Sequence, residues 1–379
     1  INISESLNRI IANDIIAKNN IPPHSNSAVD GYAIKYNEYK SGNREFSIVG
    51  KSKAGHPYNN KTKKLDSIRI LTGAILPIGY DTVIMEEDCI IKNKSLLLPN
   101  NIKKYMNYRY LGEDIKFKRK VFGVGHKLRP QDMGVLYSLG IKKIEVFSQL
   151  KICVFSCGDE LSNIDKPLKK GNIYDSNRIM LVNFLSKLSY KVQDLGILKD
   201  NKAHITKKLN NASKKNDFII TSGGMSLGDE DHIKPLIEEK GEIHVWRLAI
   251  KPGRPVGFGN YNKTPILGLP GNPAAAFVTF LMLGIPILKQ ISGQKLIKNN
   301  YIPIKINFEH KKKPGRKEFL RVKLSNKDNR LILKKFHKEG AGILSSTSWA
   351  TGLGIIDDDI EELKEHDTIN YISFSELLS

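Results

Sequence analysis

Residues 151–160 read KICVFSCGDE, a short apolar run that ends in a glycine and two carboxylates. A run of this length, followed at once by glycine, is typical of a buried strand that leads into a loop. The pattern returns in residues 217–224, which read DFIITSGG, and in residues 265–273, which read PILGLPGNP. These three segments decide the fold, because segments with helical spacing separate them along the chain.

Helices are predicted between these strands. Asp175 is a typical N-cap residue, and the apolar residues after it recur at i, i+3, i+4 and i+7, namely Leu181, Phe184, Leu185 and Leu188. The other elements predicted here are strands at 191–198 and 242–250 and helices at 202–214, 232–240 and 274–291. Strands that alternate with helices predict a doubly wound parallel sheet covered on both faces, as in α/β domains.

The two ends of the chain have a different pattern. Apolar residues near helical spacing predict a short helix over residues 2–20, and a second helix is predicted at 131–139. Short β-branched runs broken by Gly and Pro predict strands at 46–49, 68–71, 81–85, 302–308, 319–324, 331–336 and 368–372. The predicted fold class is therefore a multidomain α/β protein, with a helical/β region at the front, a doubly wound domain in the middle and a small β module at the end.

Composition narrows the class of protein. The chain has 379 residues, 60 Lys and Arg against 39 Asp and Glu, and a net charge of +21. With 40% hydrophobic and 26% charged residues it is globular rather than disordered. Only 12 of the basic residues are Arg, so dispersed, solvated Lys explains the charge better than a nucleic-acid or membrane partner does. Three cysteines exclude a disulfide scaffold and a four-cysteine zinc site, and favour a cytoplasmic location.

The longest stretch without a charged residue runs from residue 264 to residue 288. Its length is that of a membrane span, but four prolines interrupt it. We expect a buried core helix here. The start of the chain also lacks the charged-then-apolar order of a signal peptide.

A ligand site is predicted at one edge of the doubly wound sheet, since ligands bind beyond the carboxyl ends of its strands. The loops at 156–160, 222–229 and 268–273 share that edge. Their glycines allow close backbone approach, and the helix that starts at Pro273 would place its N-terminus there, where a phosphate is stabilised. The predicted backbone donors are Ser222, Gly223, Gly224, Gly271 and Asn272. Neither a Walker A motif nor a helix-opening GxGxxG is present.

Charged residues of both signs accompany these loops. The carboxylates near these loops, suited to Mg²⁺ beside a polyphosphate, are Glu160, Asp200, Asp229, Glu230 and Asp231. The cations Arg247, Lys251 and Arg254 would stabilise phosphate charge. Helix caps or solvated charges remain the alternative for each acid, and the cysteines and histidines are interpreted as structural.

Taken in order, the motifs of this chain resemble the molybdopterin molybdenumtransferases, or molybdenum insertases, in their bacterial single-function form, which is related to the C-terminal domain of gephyrin. The resemblance covers essentially the whole chain. It is carried by NSAVDGYA at 26–33, LTGA at 71–74, GEDI at 112–115, RPQD at 129–132, GDEL at 158–161, YDSN at 174–177, KPGRP at 251–255, GLPGNP at 268–273, KPGR at 313–316 and GILSS at 342–346.

The resemblance implies the final step of molybdenum cofactor biosynthesis. The family's substrates are adenylylated molybdopterin and molybdate; a Mg²⁺-dependent transferase hydrolyses the phosphoanhydride, releases AMP and places molybdenum on the pterin dithiolene. The implied domains are a segmented elongated domain (1–20 and 119–149), a β domain (21–118), a molybdopterin-binding α/β domain (150–298) and a C-terminal β domain (299–379). The implied assembly is a homodimer with the active site between protomers. Molybdopterin adenylyltransferase and molybdoenzyme chaperones are the further partners expected.

The resemblance also implies roles for single residues. Positions that match those the family uses in catalysis are Asp30, Thr72, Asp114, Glu160, Asp200, Asp231 and Lys251. Pro270 and Pro273 match the loop that shapes the pocket, Ser345 matches a substrate-binding position, and Glu160, Asp200 and Asp231 would hold the metal. The chain departs from the family at Cys157, where Thr is usual, and at Arg247 and Arg254, where Lys is common.

Three other functions fit this sequence less well. A relative of the molybdopterin adenylyltransferases would need neither the 26–33 motif nor the C-terminal module. A non-enzymatic scaffold, as the vertebrate relative gephyrin is for receptors, would not require a complete set of pocket acids. Nucleic-acid binding would call for a basic groove interleaved with aromatic residues, which the sequence does not suggest.

Overall fold

The structure is a computed structural model that describes residues 1–224 and 232–378. The chain divides into two compact units, an N-terminal unit, Ile1–Val146, and a C-terminal unit, Phe147–Ser379. The four domains implied by the resemblance are a finer division, and their boundaries stay predictions.

A six-stranded sheet forms the centre of the N-terminal unit. Its strands lie side by side in the order Thr82–Met85, Gly31–Ile34, Asp66–Ile70, Glu45–Ser52, Ser95–Leu97 and Ile90–Lys92. The three strands predicted in this region are therefore confirmed. Apolar side chains alternate along Gly31–Ile34 between two clusters, one with Tyr32 and Ile34 and the other with Ala33, so both faces of the sheet are buried.

Smaller elements complete the N-terminal unit. They are the two-stranded pairs Ile15–Ile16 with Lys120–Phe122 and Asn26–Ser27 with Tyr108–Arg109, the helices Tyr36–Lys40 and Pro130–Ser138, and the 3₁₀ turns Ile3–Glu5 and Glu86–Asp88. The helix predicted at 131–139 is thus confirmed.

The helix predicted over residues 2–20 is wrong. After the 3₁₀ turn the segment is extended: Ile10 and Ile11 form bridges to Lys127 and Val146, and Ile15 pairs with Phe122. Its β-branched isoleucines come as adjacent pairs, which suit an extended chain, and contacts with residues 115–146 outweigh a weak helical spacing. Leu7 is 47% exposed, so the apolar positions do not form one buried stripe.

The C-terminal unit contains the predicted doubly wound sheet. Its strands lie in the order Lys191–Leu198, Lys151–Cys157, Phe218–Ser222, Thr264–Leu269, Gly257–Tyr261 and Gly241–Trp246. The first four are parallel, and the last two run antiparallel to their neighbours. The sheet is therefore mixed rather than fully parallel. The change of direction comes from a tight hairpin that joins Gly257–Tyr261 to Thr264–Leu269. Its two loop residues, Asn262 (φ 48°) and Lys263 (φ 67°), both have the positive φ of a type I′ turn.

Helices cover both faces of this sheet, as predicted. They are Ser176–Lys187, Lys202–Lys215, Ile233–Lys240 and the continuous Pro273–Thr279, Phe280–Gly284 and Ile285–Ile291, of which the middle segment is π-helical. Asp175 caps the first helix by accepting from the Arg178 N–H. Alternate residues of Lys151–Cys157 point into two separate cores: Ile152 and Val154 into one, Cys153 and Phe155 into the other. The predicted α/β fold class is confirmed.

The helix Pro273–Ile291 is long and apolar enough to cross a membrane by length and composition, and 61% of its most apolar window is buried. Phe277, Phe280 and Leu281 pack into the core that also contains Leu181 and Leu185. A core helix of a globular domain passes the same test, and the packing agrees with the buried helix expected from the sequence.

A closed barrel follows in the C-terminal unit. Its strands are, in spatial order, Lys317–Lys327, Arg330–Lys335, Ile302–Ile306, Thr368–Ser373 and Gly352–Ile356, and the last of these pairs with the first. Shorter elements near it are the pair His310–Lys311 with Glu362–Leu363 and the helices Ser345–Trp349 and Phe374–Leu378. The four strands predicted here are confirmed, whereas Gly352–Ile356 was not predicted.

The strand predicted at 242–250 ends at Trp246, and the chain then leaves the first sheet. Ile250–Lys251 instead pairs in parallel with the barrel, with Ile250 opposite Lys317 and Lys251 opposite Glu318. This crossing places Lys251 beside the barrel.

Candidate functional site

The described parts of the three predicted loops meet at the carboxyl ends of neighbouring parallel strands; residues 225–229 of the second loop lie outside the described residues. The Gly223 N–H donates to the Leu269 carbonyl at 3.1 Å. A Cβ on Gly223, whose φ is 84°, would lie 2.4 Å from the Cys157 carbonyl oxygen. Glycine at this position is required both by the positive φ and by the close approach of the neighbouring strand end.

Asn177 joins two of these loops from the first turn of the helix Ser176–Lys187. Its side-chain amide donates to Ser222 Oγ and to the Gly271 carbonyl, both at 2.8 Å. The Ser222 hydroxyl in turn donates to the Pro270 carbonyl at 3.3 Å. From the sequence, Asn177 belonged only to the YDSN motif and was given no role in the site. Its position in the first turn of a helix that begins at the same sheet edge could have indicated that role.

The predicted carboxylates lie at the same edge. Asp200 Oδ1 accepts from Cys157 Sγ at 3.0 Å, and Asp200 Oδ2 accepts from the Asp159 N–H at 3.1 Å. The Asp200 N–H donates back to Asp159 Oδ1 at 3.3 Å. The Glu160 carboxylate folds over Gly158, where an added Cβ would lie 2.5 Å from Glu160 Oε2. The loops after two adjacent strands are thereby joined.

These contacts do not by themselves support the predicted Mg²⁺ site. Within residues 1–224 and 232–378, no three His, Cys, Asp or Glu side chains are grouped so that they could hold a metal ion. Both oxygens of Asp200 already accept hydrogen bonds. Asp231, the third predicted ligand, falls outside the described residues. A magnesium site built on Glu160, Asp200 and Asp231 therefore stays a prediction.

The helix that starts at Pro273 is capped by the protein itself. The N–H groups of Ala274 and Ala275 donate to the Ala341 carbonyl at 2.9 and 3.3 Å. These two N–H groups of the first turn are therefore already engaged. A phosphate at this helix end could then accept hydrogen bonds only from the preceding residues, Gly271 and Asn272.

A basic cavity of about 230 Å³ lies between the 250–255 loop and the barrel. Its cationic lining, among the described residues, is Lys251, Arg254, Arg316, Arg321, Lys335 and Lys338. The carboxylates of Glu318 and Glu339 line it too. Sequence reasoning selected Lys251 and Arg254. It missed the other four cations, although Arg316 belongs to the KPGR motif that carried the resemblance.

Arg321 is fixed in the wall of this cavity. Its Nε donates to Ser346 Oγ and its terminal nitrogen to the Gly340 carbonyl, both at 3.0 Å. Burial lowers the pKa of Arg321, and the charges of nearby carboxylates oppose that change. Ser345, the predicted substrate-binding residue, is exposed, and its neighbour Ser346 is the serine that contacts the arginine.

Lys251, a cation of the same lining, is held by a carboxylate. Lys251 Nζ lies 2.9 Å from Glu318 Oε1, and His310 Nε2 lies 3.1 Å from Glu318 Oε2. Burial raises the pKa of Glu318, but the hydrogen bonds and charges of His310 and Lys251 outweigh burial and hold that pKa below its usual range.

Comparisons with known proteins agree with this architecture. Family models match residues 1–140 (MoeA N-terminal region, domain I and II), 153–290 (probable molybdopterin binding domain) and 304–374 (MoeA C-terminal region, domain IV). A molybdopterin molybdenumtransferase from Haemophilus influenzae is 35% identical over 381 residues, which cover 100% of this chain and 94% of the relative. The chain belongs to the molybdopterin molybdenumtransferase family. The family resemblance stated from the sequence is confirmed.

Other relatives support the family assignment. A molybdopterin molybdenumtransferase from Nostoc is 30% identical over 75% of this chain and 67% of the relative. Gephyrin from Dictyostelium discoideum is 32% identical over 79% of this chain and 47% of its own length. A solved structure of a molybdopterin biosynthesis MoeA protein from Pyrococcus horikoshii has a TM-score of 0.84 at 26% identity and covers 99% of this chain and 94% of its own. Because the family models also match both ends, a bare adenylyltransferase domain is disfavoured.

Three of the positions matched to the molybdopterin molybdenumtransferase family lie in the N-terminal unit. Asp30 Oδ1 accepts from both the N–H and the hydroxyl of Thr72, each at 2.7 Å. These two hydrogen bonds lower the pKa of Asp30, which is exposed. Asp114 is exposed, and its N–H donates to the Ile21 carbonyl at 3.1 Å. The structure thus brings Asp30 and Thr72 together, as two positions of one predicted site.

Of the predicted cations, Arg247 lies outside the basic cavity's described lining. Its side chain is exposed, and its φ of 144° is a value that favours glycine. The backbone is held in this conformation where the chain leaves the first sheet, since the Leu248 N–H donates to the Arg254 carbonyl at 3.1 Å. Arg247 and Arg254 thus lie at the two ends of one closed loop.

Proposed function

We propose that this chain catalyses the final step of molybdenum cofactor biosynthesis. It inserts molybdate into adenylylated molybdopterin, hydrolyses the phosphoanhydride and releases AMP. Family membership supports the coarser statement, a molybdopterin molybdenumtransferase role. The observation that carries the finer proposal is the basic cavity, which is suited to a small oxyanion. Its described lining contains no residue of the loops at the carboxyl ends of the parallel strands, the strand-end loops.

Size and charge favour molybdate in the cavity. Pockets for drug-sized ligands have volumes of roughly 300–1,000 Å³. A cavity of about 230 Å³ is small for a pterin nucleotide but ample for a tetrahedral oxyanion. Its lining carries six cationic groups against two carboxylates, an excess of four positive charges. Arg321 adds a planar guanidinium whose position is fixed by two hydrogen bonds, and such forks bind oxyanions well.

The strand-end loops are proposed to bind the adenylylated pterin. Of the predicted donors, the Gly223 N–H is already engaged by the Leu269 carbonyl. Ser222, Gly224, Gly271 and Asn272 would bring backbone N–H groups to this edge, where a phosphoanhydride would accept hydrogen bonds. Asn177 fixes the two loops relative to each other, so these donors are arranged before the substrate arrives.

The acids beside the strand-end loops are proposed to act on the phosphoanhydride. Glu160 and Asp200 offer the hard oxygen donors that Mg²⁺ prefers, and Asp231 would join them. When bound, the ion would neutralise charge on the phosphates. Asp200 accepts hydrogen bonds from Cys157 and Asp159, which fix its carboxylate. Glu160, whose carboxylate lies over Gly158, would orient the water that attacks phosphorus.

We further propose a cytoplasmic homodimer whose active site lies between protomers, with molybdopterin adenylyltransferase and molybdoenzyme chaperones as transient partners. Analytical ultracentrifugation tests the dimer. A monomer with full activity would contradict an active site shared between protomers.

The direct test is an incubation of the protein with adenylylated molybdopterin, molybdate and Mg²⁺. We expect AMP release and a cofactor that activates an apo-molybdoenzyme, and Asp200→Ala and Lys251→Ala should abolish cofactor formation. Lys207→Ala, an exposed lysine on the helix Lys202–Lys215, serves as the matched control and should retain full activity. No AMP release by the unaltered protein would overturn the proposed function.

A further inference from the structure

We propose that Glu318 is a positioning residue of the basic cavity, which fixes the Lys251 ammonium group where the oxyanion binds. The inference rests on the function proposed above, since it takes a molybdate-like dianion as the ligand of the cavity.

Strand pairing brings Lys251 and Glu318 side by side. Lys251 and Glu318 are paired residues of adjacent parallel strands, and the Lys251 Nζ to Glu318 Oε1 distance is 2.9 Å. The two side chains differ sharply in exposure: 4% for Glu318 and 43% for Lys251. A buried carboxylate thus holds one end of a cation whose other side faces the cavity.

Glu318 is itself held from behind. His310, whose side chain is 2% exposed, places Nε2 at 3.1 Å from Glu318 Oε2. The other ring nitrogen, Nδ1, lies 3.5 Å from Glu339 Oε1, and Glu339 pairs with Lys335 at 2.8 Å. Each oxygen of Glu318 therefore has its own partner, so the carboxylate cannot rotate without breaking a buried contact.

Lysine is the cation for which such an anchor matters most. Its ammonium is a point charge on a flexible stem, and ordering that stem costs conformational entropy. Arg321, another cation of the lining, is fixed by two hydrogen bonds of its own. Of these two cations, Lys251 is held through a carboxylate instead, so the free protein bears the cost of ordering it before the ligand binds.

Positioning and simple charge balance predict opposite results. If Glu318 only reduced the positive charge of the cavity, its neutralisation would strengthen anion binding. If it positions Lys251, neutralisation weakens binding even though the cavity becomes more positive.

The test is calorimetric titration of sodium molybdate into the full chain. Loss of a charge-assisted hydrogen bond of this kind corresponds to about a tenfold change, so Glu318→Gln should raise the molybdate Kd about tenfold. In AMP-release assays the KM for molybdate should rise similarly while kcat at saturating molybdate stays within about twofold. A loss of folding alone would lower the active fraction and leave KM unchanged.

Glu339→Gln is the matched control, because it also removes a carboxylate from the cavity lining. Glu339 acts on Lys251 only through its charge, and its oxygen lies at the longer distance of 3.5 Å from His310 Nδ1. Glu339→Gln should tighten molybdate binding. His310→Gln keeps the Lys251–Glu318 pair but removes its anchor, and should weaken binding by a smaller factor than Glu318→Gln. It also serves as the test if Glu318→Gln does not fold.

The outcomes separate the two proposals. If the unaltered protein binds no molybdate, the assignment of the cavity falls and the role of Glu318 falls with it. If the unaltered protein binds molybdate but Glu318→Gln, or in its place His310→Gln, binds as tightly or more tightly, only the positioning role is overturned.

Discussion

Asn177 donates its side-chain amide to Ser222 Oγ at 2.8 Å, and this bond joins a helix N-terminus to the end of the central parallel strand. The other donor of the same amide reaches the Gly271 carbonyl, which can only accept. The orientation of the amide is therefore fixed by chemistry. In the part of the chain that the structure describes, Asn177 Oδ1 is buried without a hydrogen-bond partner, so the residue acts through its donors.

Asn177→Ala should therefore destabilise the protein and loosen the two loops that contain Ser222 and Gly271. One buried and one partly buried hydrogen bond are lost, a cost of roughly 1–3 kcal/mol in the free energy of unfolding. Asn183→Ala removes an exposed amide that bonds the Ile179 carbonyl on the same helix, and should change stability far less. Urea unfolding compares the two, and equal losses would show that Asn177 is not the tie between these loops.

Gly223→Ala should be severely destabilising. The new Cβ would lie 2.4 Å from the Cys157 carbonyl oxygen, so the two strand ends would have to separate. Gly196→Ala isolates the backbone effect, because Gly196 has a φ of 74° but nothing within 4 Å of an added Cβ. It should cost only the conformational strain, about 1–2 kcal/mol. Thermal unfolding of both variants checks the comparison, and a Gly223→Ala protein no less stable than Gly196→Ala would refute the close approach.

The fold was predictable wherever local pattern and burial agree. The strand Lys151–Cys157 and the helix Ser176–Lys187 have apolar spacing that one element alone satisfies. The extended start of the chain was missed because its pairing partners lie more than a hundred residues away. Gly257–Tyr261 was missed because glycine and asparagine weaken the strand signal, and only the hairpin to Thr264–Leu269 makes it a strand.

The candidate site was predictable in its loops and not in its cavity. Strand ends of a doubly wound sheet locate 156–160 and 222–224 from the sequence alone. The basic cavity depends on Ile250–Lys251 leaving one sheet to pair with a barrel strand that follows more than sixty residues later. Nothing local to Arg321 or Lys335 signals that crossing, so their part in the lining follows only from tertiary structure.

Stability at acid pH should depend on Asp132. Burial raises the pKa of Asp132, but hydrogen bonds from Arg129 and His126 outweigh it and lower the pKa to about 2. Because the folded-state pKa lies below the unfolded one, this stabilisation is present above about pH 4 and is lost as pH falls toward 2.

Asp132→Asn should cost roughly 1–2 kcal/mol at pH 7, allowing for the exposed Arg129 partner, and progressively less below pH 4. Urea unfolding at several pH values measures the difference. The exposed Asp165→Asn is the control and should stay within about 0.5 kcal/mol at every pH. A constant gap between Asp132→Asn and the unaltered protein would mean that the carboxylate does not supply the stability.

Arg321→Lys should weaken molybdate binding although the charge is kept. A lysine cannot donate at once to Ser346 Oγ and the Gly340 carbonyl while presenting a planar fork to the cavity. We expect a loss of about tenfold or more in affinity, as for other bidentate sites. Ser346→Ala keeps the guanidinium and removes one of its two anchors, so it should weaken binding less. Equal effects of the two changes would show that the hydroxyl, not the fork, dominates.

Gly253→Ala tests how the cavity loop rests on the core helix. An added Cβ would lie 2.2 Å from Thr279 Oγ1, and the φ of 110° adds strain. Thr279→Ala should cost about 1 kcal/mol for the buried methyl. It should cost no hydrogen bond, since Thr279 Oγ1 has no partner among the described residues. The double variant removes the clash, so its loss of unfolding free energy should be smaller than the sum of the single losses, by about 1–3 kcal/mol. Urea unfolding of all four proteins gives this coupling, and strict additivity would mean that the loop does not contact Thr279.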